Sequence, residues 1–327
     1  MTEHIDFADL GCTRAVRDWA ETLPEELVPG RVVSLDRGYP MVNTEVEQLR
    51  AELATDIKKS NDSIVAVGDW VALRIPESHE KAIISRIMPR AVEIARVKRV
   101  GREKQVRRQV LAANVDVVFL CQSLTGEGLD LRLAARQMAA VCGCGAKPIF
   151  ALTKADAVET GKTSEAVNLL KELAPDVKTL VIASKAGSGV EEARASIPAN
   201  ATALLLGESG VGKSTLVNAL LGQERLATSE VRSNDDKGRH TTVARCICKV
   251  PGGGLIIDAP GLRTLQIIDM EASLQAAFPD IVDLAGACKF SDCTHTHEPG
   301  CAVAGQVSQK RLDAYRALFS FKEARRY

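Results

Sequence analysis

Between Arg31 and about Arg99 the chain carries short apolar or alternating runs, each broken by turn residues. They are Arg31–Leu35, Tyr39–Val42, Ser63–Val67, Asp69–Ile75, Ala82–Ile87 and Val92–Val97. About five or six strands in roughly 70 residues predict a small β-barrel; an OB-fold fits, and an SH3-like barrel fits nearly as well. Ahead of it, Leu10, Val16, Trp19 and Ala20 stand among charges and predict a weakly amphipathic helix over 9–22, stopped by Pro24 and Pro29-Gly30. Past a basic stretch read as a linker, the texture alternates. Strands are expected at 116–120, 148–152, 179–183, 203–206, 243–250 and 255–258, with helices at 131–141, 164–173 and from Leu216 to a stop at Gly222. That rhythm predicts a largely parallel sheet with helices on both faces. From Met270 onward the pattern is helical and irregular around cysteines and histidines.

Composition changes the picture in two places. The 327 residues carry a formal net charge of zero, which by itself argues against nucleic acid. The distribution argues for it: residues 81–109 hold ten bases against two acids, a local charge of +8, while residues 1–30 hold seven acids against two bases. Such a basic segment is a candidate footprint for a phosphate backbone, or else a solvated surface. No apolar run approaches the ~18 residues of a membrane span, and the acidic N-terminus lacks a signal-like apolar stretch, so a cytoplasmic protein is expected. Nine cysteines do not suggest disulfides. Six of them (Cys12, Cys121, Cys142, Cys144, Cys246 and Cys248) read as small buried hydrophobes.

The chemistry begins at Gly207-Glu208-Ser209-Gly210-Val211-Gly212-Lys213-Ser214-Thr215, which fits G-x-x-x-x-G-K-[ST] between a predicted strand and a predicted helix. Glycines let backbone N–H groups turn toward phosphate oxygens, and the helix N-terminus adds its positive end. Lys213 would reach the β- and γ-phosphates and Ser214 would ligate Mg²⁺. The bland reading is a glycine-rich turn with no ligand. Thr153-Lys154-Ala155-Asp156, at the end of a predicted strand, resembles the [NT]-K-x-D motif. Its Asp can accept from guanine N1–H and the 2-amino group, which adenine does not offer. Thr153 stands where Asn is commoner. Asp258-Ala259-Pro260-Gly261 resembles the D-x-P-G switch, with Asp258 on Mg²⁺ through water and the Gly261 N–H at the γ-phosphate. Gly238-Arg239-His240-Thr241-Thr242 resembles switch I, and either Thr241 or Thr242 closes on Mg²⁺. Ala183-Ser184-Lys185 resembles the S-A-K loop that backs the guanine, with its first two residues exchanged.

The order carries the most information. Base recognition precedes the P-loop and both switches, whereas a linear GTPase runs from P-loop to base recognition. The chain therefore reads as a circularly permuted GTPase. Leu262 stands where many GTPases have a water-orienting Gln, so His240 is the nearest polar candidate for that role; the alternative is a solvated loop histidine. Finally, Cys288-x4-Cys293-x-His295-x5-Cys301 supplies three thiolates and an imidazole, a set suited to structural, tetrahedral Zn²⁺. His297 competes with His295 by spacing.

These motifs together resemble the ribosome small-subunit-dependent GTPase A family. The likeness runs from about Gly30 to the C-terminus and takes in Val67-Gly68-Asp69-Trp70-Val71, Ile87-Met88-Pro89-Arg90 and Asn114-Val115-Asp116. It implies an α/β fold: an N-terminal OB-fold at 31–100, a circularly permuted P-loop GTPase at 101–269 and a zinc-binding helical domain at 270–327, after an unassigned extension at 1–30. It also implies GTP hydrolysis stimulated by the small ribosomal subunit, in late maturation of that subunit, by a monomer binding its rRNA. Ala259 departs from the family's usual Thr. Two other readings are a P-loop small-molecule kinase and a nucleotide-gated RNA-binding switch with little turnover.

Overall fold

The computed structural model describes residues 6–36, 39–59, 65–77, 81–100, 105–223, 245–259 and 262–324. A 3-10 turn at Phe7–Leu10 leads to helix α1 (Arg14–Glu21), whose first turn is capped by the Thr13 hydroxyl accepting from Val16 N–H. Strands β1 (Val28–Asp36), β2 (Tyr39–Asn43) and β3 (Gln48–Leu53) follow, then the short helix α2 (Thr55–Lys59), β4 (Trp70–Arg74) and β5 (Ala82–Ile87). β1 pairs antiparallel with β2 and β4, β2 with β3, β4 with β5, and β3 runs parallel to β5. That closes a five-stranded barrel in the OB arrangement. Val32, Val42, Val71, Leu73 and Ile84 fill it.

Two expectations need correction here. Val65–Val67, part of the run expected as a strand, is buried but pairs in no strand. A turn closed by Asp69 N–H to Ala66 O (3.2 Å), with Asp69 Oδ2 accepting from Ala66 N–H at 2.8 Å, satisfies its backbone instead. The third barrel strand is Gln48–Leu53, whose polar alternation hid it. The basic stretch is not a linker: β6 (Glu93–Val100) and β7 (Gln105–Ala113) pair antiparallel from Glu93↔Ala113 to Val100↔Gln105 as a two-stranded ribbon. The ribbon is anchored at its base. Arg90 makes a bidentate pair with the fully buried Asp69 at 2.6 and 2.8 Å and also reaches Glu93 at 3.0 Å.

The chain then alternates: β8 (Val117–Ser123), α3 (Leu131–Gly143), β9 (Lys147–Thr153), α4 (Thr160–Leu173), β10 (Thr179–Ile182), α5 (Val190–Ala195), β11 (Thr202–Leu206) and α6 (Lys213–Leu221). β12 (Cys246–Lys249), β13 (Leu255–Asp258), α7 (Met270–Ala277), α8 (Pro279–Ala285) and α9 (Gln309–Ala324) complete it. Two compact units form. One comprises Met1–Val117, Val190–Leu205 and Lys213–Arg263; the other Val118–Gly189, Leu206–Gly212 and Thr264–Tyr327.

In the first unit β11 runs parallel to β13, and β12 lies antiparallel between β13 and β1. Arg31, 1% exposed, ties this unit together. Its guanidinium donates to Leu10 O, Gly68 O and Asn114 O, to the Thr202 hydroxyl at 2.9 Å, and lies over Trp70. Burial pushes it down to about 10.

In the second unit β9 and β10 are parallel, with β8 on the other side of β9. Helices α3 and α7 approach so closely that a Cβ at Gly143 would lie 2.0 Å from Ser273 Oγ, which only glycine allows. Buried Arg311 of α9 donates to Leu173 O (2.9 Å), to Ala277 O (3.2 Å) and bidentately to Asp280. It thereby joins the ends of α4 and α7 to the start of α8. Among the described residues no helix is long and apolar enough to cross a membrane.

Candidate nucleotide and metal sites

Parallel pairing sets the two loops expected at the guanine base side by side in the second unit. Ile182 of β10 lies opposite Thr153 of β9, so Lys154–Asp156 and Ala183–Lys185 leave neighbouring strands at the same edge. Thr153 is 2% exposed, and Asp156 is exposed within a 3-10 turn at Ala155–Ala157. Lys154 sits at φ 58°, ψ 37°, a left-handed conformation that costs a non-glycine residue about 1–3 kcal/mol. Ser184 lies in the tight turn closed by the Ala183↔Ser188 bridge.

The phosphate-loop glycines of this unit adopt positive φ: Gly207 at 153°, Gly210 at 79° and Gly212 at 99°. At Gly207 a Cβ would meet Cys121 O at 2.5 Å, so the loop lies hard against β8. Glu208, Ser209 and Val211 complete it. The Thr153 hydroxyl reaches both Val211 O and, at 3.1 Å, Gln122 O. With one hydrogen to give, it clasps the base loop to the phosphate loop and to β8.

In the first unit, Lys213 opens α6, with Ser214 and Thr215 in its first turn. The register Leu204↔Ile257 carries Asp258, last residue of β13, to the rung beside Leu205. Arg194 of α5 donates to Leu220 O (2.7 Å) and Pro251 O (2.8 Å), capping the far end of α6 with a cation. No sequence motif marks Arg194. His240, Thr241, Thr242 and Gly261 lie outside the described residues. Leu262 is buried.

Also in the second unit, Cys288, Cys293, His295 and Cys301 offer ligand atoms that all lie within 4.8 Å of one another. His295 Nδ1 stands 3.7 Å from Cys288 Sγ and 3.5 Å from Cys301 Sγ. With Zn–S of ~2.3 Å and Zn–N of ~2.0 Å, a tetrahedral site has S···N edges of about 3.5 Å, so the spacing of these residues fits a zinc ion. Burial lowers the His295 pKa, keeping the ring in its neutral, metal-binding form; His297 is exposed and outside the cluster. His295 holds φ 58°, one of three described non-glycine residues at positive φ, with Lys154 and Asn114. Burial would raise the Cys301 thiol, but N–H donation from Ala304 and Val303 outweighs it and lowers its pKa.

Glu298 organises this loop, and nothing in its spacing announces it. Its carboxylate accepts from Thr294 N–H (2.8 Å), Thr294 Oγ1, Thr296 N–H (2.8 Å) and His297 N–H (3.1 Å). Those bonds, the Thr294 hydroxyl's foremost, hold it far below the usual carboxylate range.

The family model described as RsgA GTPase matches residues 87–268. The chain is 40% identical over 311 residues to the small ribosomal subunit biogenesis GTPase RsgA of Streptomyces avermitilis, covering 92% of this chain and 82% of the relative. It is 35% identical to RsgA 2 of Lactiplantibacillus plantarum, over 96% of this chain and 88% of the relative. Among solved structures, YjeQ from Thermotoga maritima superposes with a TM-score of 0.68 at 23% identity, covering 90% of this chain and 98% of that one. YloQ, a circularly permuted GTPase, gives 0.65 at 22% identity, covering 92% and 96%.

Proposed function

The chain belongs to the RsgA GTPase family, and from that premise we propose that it works on the small ribosomal subunit as a GTP-driven switch. It is a GTP hydrolase acting in small-subunit biogenesis. The observation that carries the nucleotide reading is the Thr153 hydroxyl joining the T-K-x-D loop to the phosphate loop. A kinase or a bare glycine turn gives no reason for that link.

In this reading the backbone of 207–215 cradles the phosphates and Lys213 takes the β- and γ-oxygens. Asp156 accepts from guanine, Lys154 lies along the base and Ser184 backs it. Mg²⁺ bound with GTP, held by Ser214, Asp258 and one of Thr241 and Thr242, would neutralise phosphate charge. The Gly261 N–H meets the γ-phosphate. Buried Leu262 has no group to orient water, so His240 takes that role in the subunit-stimulated reaction. Zn²⁺ on Cys288, Cys293, His295 and Cys301 leaves no open position and is structural. The domain limits that suit this reading are 31–100, 101–269 and 270–327. The ribbon β6–β7, whose sequence carries Arg96, Lys98, Arg99, Arg107 and Arg108, is the segment we assign to rRNA phosphates. The test is nucleotide choice: Asp156→Asn is expected to lose GTP affinity about 30- to 150-fold and to gain xanthosine triphosphate binding. Undiminished GTP binding would remove Asp156 from the site.

A further inference from the structure

The barrel carries an open groove of about 340 Å³ lined by Trp19, Ile57, Ser85, Arg86 and Ile87. Such a volume is at the small end of ligand sites, about 300–1,000 Å³, and has room for one flat group. Three features show how it is built. First, β3 pairs with β5 only through Ile84, where Ala54 N–H donates to Ile84 O at 3.0 Å, so the β5 edge from Ser85 to Ile87 is left free by β3. Second, β4 sets Ala72 opposite Arg86 and Leu73 opposite Ile84, which makes Ser85 the extra residue of a β-bulge. Bulges of this kind re-aim side chains at barrel rims. Third, α1 brings the half-buried indole of Trp19 to one wall, and α2 brings Ile57 to another.

Among the described residues, the polar groups in the groove lack partners of matching strength. Arg86 is exposed and makes no hydrogen bond or ion pair among the described residues. The Ser85 hydroxyl has Ile83 O at 3.5 Å, the limit of a hydrogen bond. An aromatic ring, a cation and a hydroxyl lining one groove suit a base with its phosphate. They suit duplex RNA poorly, since its bases are stacked on each other.

We propose that this groove takes one unstacked nucleotide of single-stranded RNA, its base on the Trp19 ring and its phosphate on Arg86. The inference rests on the reading that the partner is rRNA, and it gives the N-terminal extension a role: α1 supplies the stacking ring. A partner protein strand added along the free β5 edge is the competing occupant.

Trp19 and Trp70 are the only tryptophans, and Trp70 is 2% exposed, so accessible quenching reports on Trp19. The full chain is titrated at fixed salt with single-stranded hexauridylate and with a short RNA duplex. Hexauridylate is expected to quench the emission and the duplex to leave it unchanged. Arg86→Glu is expected to weaken hexauridylate binding about tenfold and to flatten the salt dependence by at least about 0.7 in log–log slope. Trp19→Leu is expected to abolish the quench and weaken binding about 5- to 150-fold, the worth of one stacked base, while Trp19→Phe keeps most of the affinity. Equal affinity across parent, Arg86→Glu and Trp19→Leu would overturn the proposal. So would a Trp19→Phe loss as large as that of Trp19→Leu, which would mark Trp19 as packing alone. A parent that ignores hexauridylate but responds to an extended peptide would assign the edge to protein and overturn it too. Subunit-stimulated GTP hydrolysis by the parent, measured alongside, stands if only this inference fails and is absent if the family function fails.

Discussion

Replacing Thr153 by Val keeps the shape of a side chain that is 2% exposed and removes only the hydroxyl. No cavity opens, so the effect isolates the clasp to Val211 O and Gln122 O. A typical hydrogen bond nets about 0.5–1.5 kcal/mol, and a buried carbonyl left without a donor costs about 1–3 kcal/mol. Part of that loss falls on the folded protein whether or not nucleotide is bound. The part that falls on binding is the cost of holding base loop and phosphate loop in register together. We take it as about 1–2 kcal/mol, or about 5- to 30-fold in Kd. The clasp acts on the two loops together and not on a terminal phosphate, so GTP and GDP are expected to weaken alike. Thr153→Asn, whose amide can donate to the same carbonyls, is expected to recover most of the affinity. Titration with a fluorescent guanine nucleotide, beside a thermal melt, reads all three variants. Thr153→Val binding both nucleotides within twofold of the parent would refute the argument.

Four further outcomes follow from other parts of the molecule. Elemental analysis is expected to find one zinc per parent chain and none in Cys293→Ser, which loosens mainly the region after Met270 with GTP binding retained; zinc-free parent protein would contradict the ligand set. His240→Ala is expected to keep nucleotide binding and basal turnover while losing most of the subunit-stimulated rate, and full stimulation in that variant would exclude His240. Arg311→Met strands Leu173 O and Ala277 O and is expected to cost about 2–4 kcal/mol in denaturant unfolding. Hydrogen bonding to Arg311 holds the partly exposed Asp280 carboxyl below its usual value of about 4, so its contribution to stability is present above that pH and fades as pH falls through the depressed folded value; an Asp280→Asn variant with the same acid-unfolding curve as the parent would contradict this.

The candidate motifs were readable because each is contiguous: four to nine residues carry the G-x-x-x-x-G-K-[ST] run, the T-K-A-D run and three of the four clustered Cys and His residues. The strands that bear them were legible as apolar runs bounded by turns, as at Leu255–Asp258. The ribbon β6–β7 was not, because charges at Arg96, Lys98, Arg99, Arg107 and Arg108 sit among its apolar residues and mimic a solvated linker. Gln48–Leu53 does alternate, with Leu49, Ala51 and Leu53 toward the barrel core, but half of it is polar and Ala51 alone is fully buried, so it lacks the apolar density of the other runs. Arg31 is the sharpest case. A sequence reading leaves an arginine at the surface, yet this one is buried because acceptors from four separated stretches converge on it. Convergence of that kind has no local signal. The same holds for Glu298, whose bonds fold a loop that spacing alone marks only by its thiols.

The most direct measurement is GTP turnover by the purified chain alone and with small ribosomal subunits, with ATP in parallel. Without a water-orienting residue at Leu262, the free protein is expected to turn over slowly, around 10⁻⁴ to 10⁻² s⁻¹, and completion of the site by the subunit is expected to raise the rate roughly 10³- to 10⁵-fold for GTP and not for ATP. A rate unchanged by the subunit, or stimulated equally with ATP, would contradict the account.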